Sequence, residues 1–152
     1  MTSPEERLAE LGLAVPEVAK PLAAYVPAVR SGNYVFTSGQ LPMRSGELML
    51  TGKVGADVTA EQAYECAQQC ALNAIAAVKS LVGDLSTVKR IVKVVGFVAS
   101  TPDFTGHPGV VNGASELLGT VFGEAGVHAR SAVGVASLPL DAPVEVELLV
   151  EV

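Results

Sequence analysis

Apolar residues recur at helical spacing in two long stretches of the chain. The first follows Thr59, which has a glutamine three residues later in the pattern of a capping box, and it continues to Gly83. The second begins at Pro108 and ends in the glycine-containing segment 123–126. We therefore predict two long amphipathic helices. Ser3 and Pro4 indicate a shorter helix that ends at about Leu11.

The hydrophobic pattern predicts strands before, between and after the long helices. The sequence AVRSGNYVFTSG favours a hairpin around Ser31–Gly32–Asn33, and VKRIVKVVGFVAS indicates a buried strand. Two more strands are expected at about 131–137 and 144–150, with the short connection 139–143 making them plausible antiparallel neighbours. Glycines at 46, 52 and 55 predict loops with a small strand near 48–50, and prolines at 16, 21 and 27 predict an extended path. This order of elements predicts an α+β fold in which both long helices pack on one face of the sheet.

The length and composition favour one globular domain. The chain has 152 residues, of which 49% are hydrophobic and only 5% aromatic, so we expect a single domain over residues 1–152 with a helical extension over 1–20. Strand surface left exposed by such a composition favours self-association. Cys66 and Cys70 lie on one face of the predicted long helix and are interpreted as small buried residues, because no third or fourth metal ligand accompanies them.

Charge argues against two classes of partner. The net charge is −6 and the basic residues are not clustered, so phosphate backbones would be repelled and no nucleic-acid partner is expected. No apolar run approaches the roughly 20 residues that a membrane-spanning helix needs, and the beginning of the sequence is acidic where a signal peptide would be basic and then apolar. A cytoplasmic location without membrane association is the expectation.

The candidate functional residues are charged side chains in and near the two C-terminal strands. In the last strand, alternation places Val144, Val146, Leu148 and Val150 on one face and three glutamates on the other: Glu145, Glu147 and Glu151. Arg130 stands at the mouth of the preceding strand. A buried, unpaired charge is costly, so this arginine must reach water, a protein partner or a ligand. The residues alone leave an internal ion pair and a ligand role both open.

Three blocks of sequence, SGNYVFTSGQLP, LSTVKRIVKVVGFVAS and VNGASELLGTVFGEAGVHARSAVGVASLPLDAPVEVELLVEV, resemble the RidA/YjgF family of reactive-intermediate deaminases. This family is also called endoribonuclease L-PSP, and the chain is similar to its longer subgroup. The resemblance covers nearly everything from Pro21 onward. It implies a chorismate-mutase-like α+β fold and a homotrimer whose sheets form a central barrel. Small imino or keto acids would bind in clefts between subunits, without a metal or organic cofactor.

The same resemblance implies roles for particular residues. Arg130 matches the arginine that binds the substrate carboxylate, and Glu145 matches the carboxylate that orients water. The remaining matches are substrate-binding positions, of which the last requires one inserted residue before Arg130: Tyr25, Ser38, Gly39 and Asn112. The chain departs from the family at Ala132, where a cysteine is frequent, and in the enlarged loop 43–55, so its substrate is left open.

The leading hypothesis is a hydrolase that converts reactive 2-enamine or 2-imino acids into keto acid and ammonium. An alternative is a protein of the same fold that binds a small carboxylate without turning it over. A ribonuclease or translation inhibitor, a function attached by name to parts of the family, is disfavoured by the acidic charge and by the absence of a histidine or lysine base near a nucleophile. His107 and His128 are expected in loop or surface positions.

Overall fold

The computed structural model describes residues 2–18 and 24–152, and it confirms the α+β class. In chain order the elements are α1 (Pro4–Glu10), β1 (Ala28–Ser31), β2 (Tyr34–Thr37), β3 (Met43–Arg44), β4 (Glu47–Leu48), α2 (Ala60–Val82), β5 (Arg90–Ala99), α3 (His107–Phe122), β6 (Ala129–Val135) and β7 (Val144–Glu151). Pro21 and its neighbours at 19–23 lie outside the described residues, as does Met1, so the extended path predicted there stays a prediction.

The two long helices begin and end where local chemistry requires. The amide of Gln62 donates to Thr59 Oγ1 at 3.1 Å and the amide of Thr59 donates to Gln62 Oε1 at 2.9 Å, which satisfies two of the free amides at the start of α2. The C-cap of α2 is Gly83, with a φ of 78° that a side chain would disfavour. α3 starts one residue before the predicted Pro108 and ends at Phe122, with Gly123 as its C-cap. Both predicted helices are confirmed.

The helices pack closely on each other and on one face of the sheet. A Cβ at Gly113 of α3 would collide with the backbone carbonyl of Tyr64 in α2, so the absence of a side chain permits the close approach. α2 contacts β7, while α3 contacts β5 and β6. Between these layers lies a core of fully buried aliphatic side chains, which includes Ile75, Val94, Leu118 and Val146. Burial of this kind is the main source of stability in a domain of this size.

The main sheet has the strand order β1-β2-β7-β5-β6. β6 pairs in parallel with β5, and α3 is the crossover between them. β7 pairs antiparallel with β5 on its other side. The predicted pairing of β6 with β7 is therefore wrong. The connection 139–143 does not form a hairpin because it crosses the end of β5, where the Ala99 amide donates to the Pro143 carbonyl at 2.9 Å.

Two hairpins precede α2. The first joins β1 to β2 through Gly32 and Asn33, as predicted. In the second, β3 and β4 pair around Ser45 and Gly46, whose φ values of 54° and 83° give the left-handed turn that suits a tight hairpin. The strand predicted at 48–50 is thus displaced, and only Leu48 of it belongs to β4. Ser45 can adopt this φ at a modest cost, because the left-handed region is small but allowed for a residue without a branched Cβ.

The contacts of α1 with the rest of the fold include one buried apolar side chain and three hydrogen bonds. Leu8 is almost completely buried. Glu5 Oε1 accepts hydrogen bonds from Lys79 Nζ at 3.2 Å and from the Leu85 amide at 3.1 Å, and Arg7 donates to the Val121 carbonyl. The predicted N-terminal helix is confirmed, and it covers the ends of α2 and α3.

Candidate active site

Arg130 lies in β6, two residues into a strand that begins earlier than predicted. It is paired with Val94 of β5, and paired residues share a face of the sheet. Val94 faces the helices and is fully buried, so the Arg130 side chain also points to the helix side. There its Nη1 donates to Asn112 Oδ1 at 2.7 Å and to Ser115 Oγ at 3.2 Å, both from α3. The inserted residue before Arg130 therefore does not prevent Asn112 from reaching it.

The partners of Arg130 are neutral. Among residues 2–18 and 24–152 the ion pairs are Lys53 with Asp141 and Lys79 with Glu5, and neither involves Arg130. Its two hydrogen bonds both leave from Nη1, and within the same ranges Nε and Nη2 make none. The guanidinium is half-buried and keeps its positive charge uncompensated. The internal ion pair considered from the sequence is not formed in the described chain.

His128 and Ser115 extend this group beyond what the sequence predicted. His128 Nδ1 lies 2.6 Å from the Gly126 carbonyl oxygen and Nε2 lies 2.8 Å from Ser115 Oγ. His128 lies in the loop before β6, which agrees with the predicted loop or surface position, and it is half-buried. Sequence reasoning missed it because its partner lies in a helix 13 residues away. The three-residue spacing of Asn112 and Ser115, which puts both on one helix face, was the available signal.

His107 is half-buried and lies in α3 rather than in a loop. It opens α3, lies 3.0 Å from Ser100 Oγ through Nε2, and packs edge-on against Phe104 with ring centroids 5.3 Å apart. A Cβ at Gly134 would overlap this imidazole. His107 thus fills space beside β6 at the end of the strand remote from Arg130.

A second group contains the other predicted site residues. Ser38 follows β2, and its hydroxyl donates to the Val26 carbonyl at 2.6 Å while its amide donates to the Pro27 carbonyl at 2.8 Å. Gly39 lies against Glu145 of β7, so closely that a Cβ there would be 2.7 Å from Glu145 Cδ. Ser38 Oγ is thereby committed to a backbone carbonyl, as expected of a strand-end hydrogen bonder.

A cavity of about 840 Å³ adjoins this second group. Tyr25 and Gly39 line it together with Arg44, Gln69 and Asn73. Asn73 Nδ2 donates to the Leu41 and Met43 carbonyls at 3.0 and 2.9 Å, which holds the loop after β2 on α2. Tyr25 is largely exposed. The cavity is large enough for a small organic acid.

Glu145 is half-buried in the alternating pattern of β7. Burial raises the pKa of its carboxyl group, and repulsion from Glu147 on the same face raises it further. A carboxylate with a raised pKa is a stronger base than an exposed one, which suits proton transfer near neutral pH.

The two groups do not meet within one chain. Arg130 is level with Val94 on β5 and Glu145 is level with Phe97. These β5 residues are three apart, so their side chains project from opposite faces of the sheet. Arg130 and Asn112 therefore lie on the helix side, whereas Glu145 lies on the other side with Glu147. The sequence-predicted residues therefore form two separate groups in the described chain, one around Arg130 and one around Glu145.

The cysteines belong to the core, as predicted. Both are fully buried, and Cys70 Sγ lies 3.7 Å from the Val144 carbonyl oxygen. Burial raises the pKa of Cys66 to about 11, and that of Cys70 well above its usual value. In the described ranges, no three side chains of the metal-binding types converge into a possible ion site. None of the helices seen in those ranges has the length and apolar character to cross a membrane.

These residues fold into a mixed sheet that two helices cover on one face. An uncompensated arginine lies on the edge strand β6 of this sheet. The chain matches the family model described as "YjgF/chorismate_mutase-like, putative endoribonuclease" over residues 5–152. It belongs to this family, and the resemblance seen in the sequence is confirmed.

Known relatives agree with this assignment. Protein TCP17 of Trypanosoma cruzi is 46% identical over 145 residues, which cover 95% of this chain and 91% of the relative. The 2-iminobutanoate/2-iminopropanoate deaminase of Escherichia coli K12 is 36% identical over 84% of this chain and 87% of its own length. A crystal structure of a protein of unknown function from Agrobacterium tumefaciens is 51% identical. It superposes with a TM-score of 0.92 over 98% of this chain and 92% of that one.

Proposed function

We propose that the protein is a hydrolytic deaminase of reactive 2-enamine and 2-imino acids, acting as a homotrimer with its sites in clefts between protomers. The observation that carries the proposal is the uncompensated guanidinium of Arg130, held by neutral acceptors with one edge unused. A planar fork of this kind binds a carboxylate bidentately. The deaminase name of a relative at 36% identity supports the same chemistry.

Self-association would bring the Arg130 group of one protomer to the Glu145 group of another, so that each group forms half of one site. The sheet face opposite the helices exposes apolar side chains that a monomer would leave in water, with exposed fractions of 53% for Val29, 48% for Phe36 and 44% for Val133. Glu145 lies on this face, whereas Arg130 lies near the edge of the sheet. A neighbouring protomer packed on the exposed face could therefore place its own Arg130 beside this Glu145, which one chain alone does not do.

The reaction would need little from the protein beyond position and one proton carrier. An enamine such as 2-aminoacrylate tautomerises to the imine, and the imine nitrogen takes a proton from solvent to give the iminium form, in which C2 is electrophilic. Glu145 would take a proton as water adds to C2, forming a tetrahedral carbinolamine. The same carboxyl group would return the proton to the nitrogen, and the C–N bond would break as the hydroxyl oxygen becomes the keto oxygen. The hydroxyl proton would pass to the departing ammonia, so that keto acid and ammonium leave. Arg130 would hold the carboxylate throughout, so that water attacks a fixed C2.

The test generates imino acids in place with an L-amino-acid oxidase and follows the release of keto acid. Two charge-assisted hydrogen bonds of about 1.5–3 kcal/mol each imply that Arg130→Ala lowers kcat/KM by about 100-fold or more. Glu145→Gln should lower kcat by about 10²–10⁴-fold. Arg30→Ala, which removes an exposed arginine on β1, is the matched control and should be unaffected. A wild-type chain that leaves keto-acid release unchanged across several amino acids refutes the proposal.

Binding without turnover is the second candidate, and one observation favours it. Arg130 is already held by Asn112 and Ser115, so a carboxylate could bind there without any contribution from Glu145. In that case Glu145→Gln would keep the affinity for pyruvate measured by calorimetry, Arg130→Ala would lose it, and neither protein would accelerate imine hydrolysis. An RNA substrate is less favoured because the net charge of −6 opposes a polyanion.

A further inference from the structure

His128, Ser115 and Arg130 form one directed chain of hydrogen bonds. The Gly126 carbonyl can only accept, so the 2.6 Å contact with His128 Nδ1 requires that Nδ1 carry a proton. In the neutral ring Nε2 is then an acceptor, and the 2.8 Å contact with Ser115 is a bond donated by the hydroxyl. Because that hydroxyl hydrogen is committed to His128, a lone pair of Ser115 Oγ is directed to Arg130 Nη1.

This arrangement decides which edge of the guanidinium is available. Nη1 has two hydrogens, and the bonds to Asn112 Oδ1 at 2.7 Å and Ser115 Oγ at 3.2 Å use both. A carboxylate can dock end-on, on Nη1 and Nη2, or side-on, on Nε and Nη2. With Nη1 saturated, only the side-on edge has two parallel donors left among the described contacts.

We propose that Ser115 and His128 are positioning residues that saturate Arg130 Nη1 and so present its Nε–Nη2 edge to the substrate carboxylate. This inference rests on the proposed function, which it deepens by assigning the geometry of carboxylate binding. Neither residue touches the substrate. His128 acts through Ser115, and Ser115 acts through the orientation of the guanidinium. In the sequence, this arrangement consists of Asn112 and Ser115 on one face of α3, followed by His128 two residues before Arg130.

The first test measures pyruvate binding by calorimetry in matched pairs of variants. Ser115→Ala removes the acceptor for Nη1, whereas Ser115→Thr keeps a hydroxyl. His128→Phe removes the acceptor for that hydroxyl, whereas His128→Gln can place a carbonyl oxygen near the position of Nε2. Loss of one hydrogen bond of this kind predicts that Kd rises by about 3- to 10-fold for Ser115→Ala and His128→Phe. Ser115→Thr and His128→Gln should recover most of the affinity. Melting temperatures identify any variant that fails to fold.

Kinetics with oxidase-generated imino acids separate positioning from general damage. Ser115 and His128 act only on the binding of the carboxylate, so KM should rise in Ser115→Ala while kcat falls by less than about 3-fold. Loss of a full hydrogen bond to the transition state would lower kcat by roughly tenfold, so the two cases can be told apart. If the wild type binds pyruvate and Arg130→Ala does not, yet Ser115→Ala and His128→Phe bind like the wild type, this inference fails and the proposed function stands. If the wild type neither binds pyruvate nor accelerates the hydrolysis of imino acids, both fail.

A ligand-free measurement examines the arrangement itself. In the neutral ring, the ¹⁵N resonances of His128 should show the proton on Nδ1 and not on Nε2. Those of Arg130 should show two distinct Nη groups, because the bonds to Nη1 restrict rotation about Nε–Cζ. Ser115→Ala should speed the exchange between them. A His128 ring protonated only at Nε2, or equivalent Nη groups in the wild type, overturns the inference.

Discussion

A methyl group added at Gly39 would test the position of Glu145 directly. A Cβ there would lie 2.7 Å from Cδ and 2.8 Å from Oε2 of Glu145. Carbon atoms in ordinary contact are about 3.5–4.0 Å apart, so the carboxylate must move by roughly 1 Å in Gly39→Ala. The atoms that must move are at the end of a flexible side chain, and Gly39 has no positive φ. The fold should therefore accept the alanine with little strain.

The expected result separates catalysis from stability. A displacement of this size in a proton-transfer group costs up to about 100-fold in rate, so kcat for imino-acid hydrolysis should fall by about 10- to 100-fold. The free energy of unfolding should change by less than about 1 kcal/mol, since Gly→Ala also reduces the entropy of the unfolded chain. Coupled oxidase assays and urea unfolding of the same preparation provide both values.

Gly119→Ala is the matched control because a Cβ at Gly119 meets no atom within 4 Å. It should keep wild-type kcat. If Gly39→Ala also keeps wild-type kcat, Glu145 does not need its observed position, and the assignment of Glu145 as the proton carrier is refuted. If Gly39→Ala loses activity and folded protein in parallel, the assumption that the Glu145 side chain moves while the backbone stays in place is refuted.

Three further changes have defined outcomes. Gly113→Ala forces a Cβ against the Tyr64 carbonyl, a backbone atom that cannot swing away, and should lower the free energy of unfolding by about 1–3 kcal/mol in urea titrations; an unchanged midpoint would contradict the close helix packing. The raised pKa of Glu145 means that the folded protein loses stability as pH rises through the glutamate range. In the Arg130→Ala background, which removes the guanidinium that a neighbouring protomer would place beside Glu145, adding Glu145→Gln should therefore raise the melting temperature at neutral pH and leave it unchanged in acid. A gap between the two proteins that does not depend on pH would contradict the raised pKa. Cys66 and Cys70, with raised pKa values and full burial, should react with a thiol reagent at pH 8 only after denaturant is added, and rapid native labelling would contradict their burial.

The long helices could be predicted because their signals are local. Thr59 and Gln62 form a capping box within four residues, and the apolar stripe after them requires no knowledge of the rest of the chain. The hairpin at Gly32 and Asn33 is equally local. The neighbours of β6 could not be predicted in this way. A short connection suggests an antiparallel pair, and only the position of β5 between β6 and β7 excludes it.

The candidate site could likewise be predicted only where its signals are local. Arg130 and Glu145 were found through their motifs, but the faces they occupy depend on the pairing of both strands with β5. The hydrogen bonds of His128 could not be predicted, because its imidazole is fixed by Ser115 and by a carbonyl in the turn before β6. A lone histidine in sequence carries no such information. The sequence indicated which residue types form the site, but it did not reveal the contacts between elements that are distant in the chain.

The position of β7 between β2 and β5 affects how the chain can fold during synthesis. The β1–β2 hairpin and the β5–α3–β6 unit share no strand pairing until residues 144–151 provide the strand that joins them. A nascent chain that ends before Val144 would carry two separate half-sheets with open apolar edges, which are the surfaces that chaperones bind and that aggregate. Completion of the sheet must therefore wait until β7 has left the ribosome.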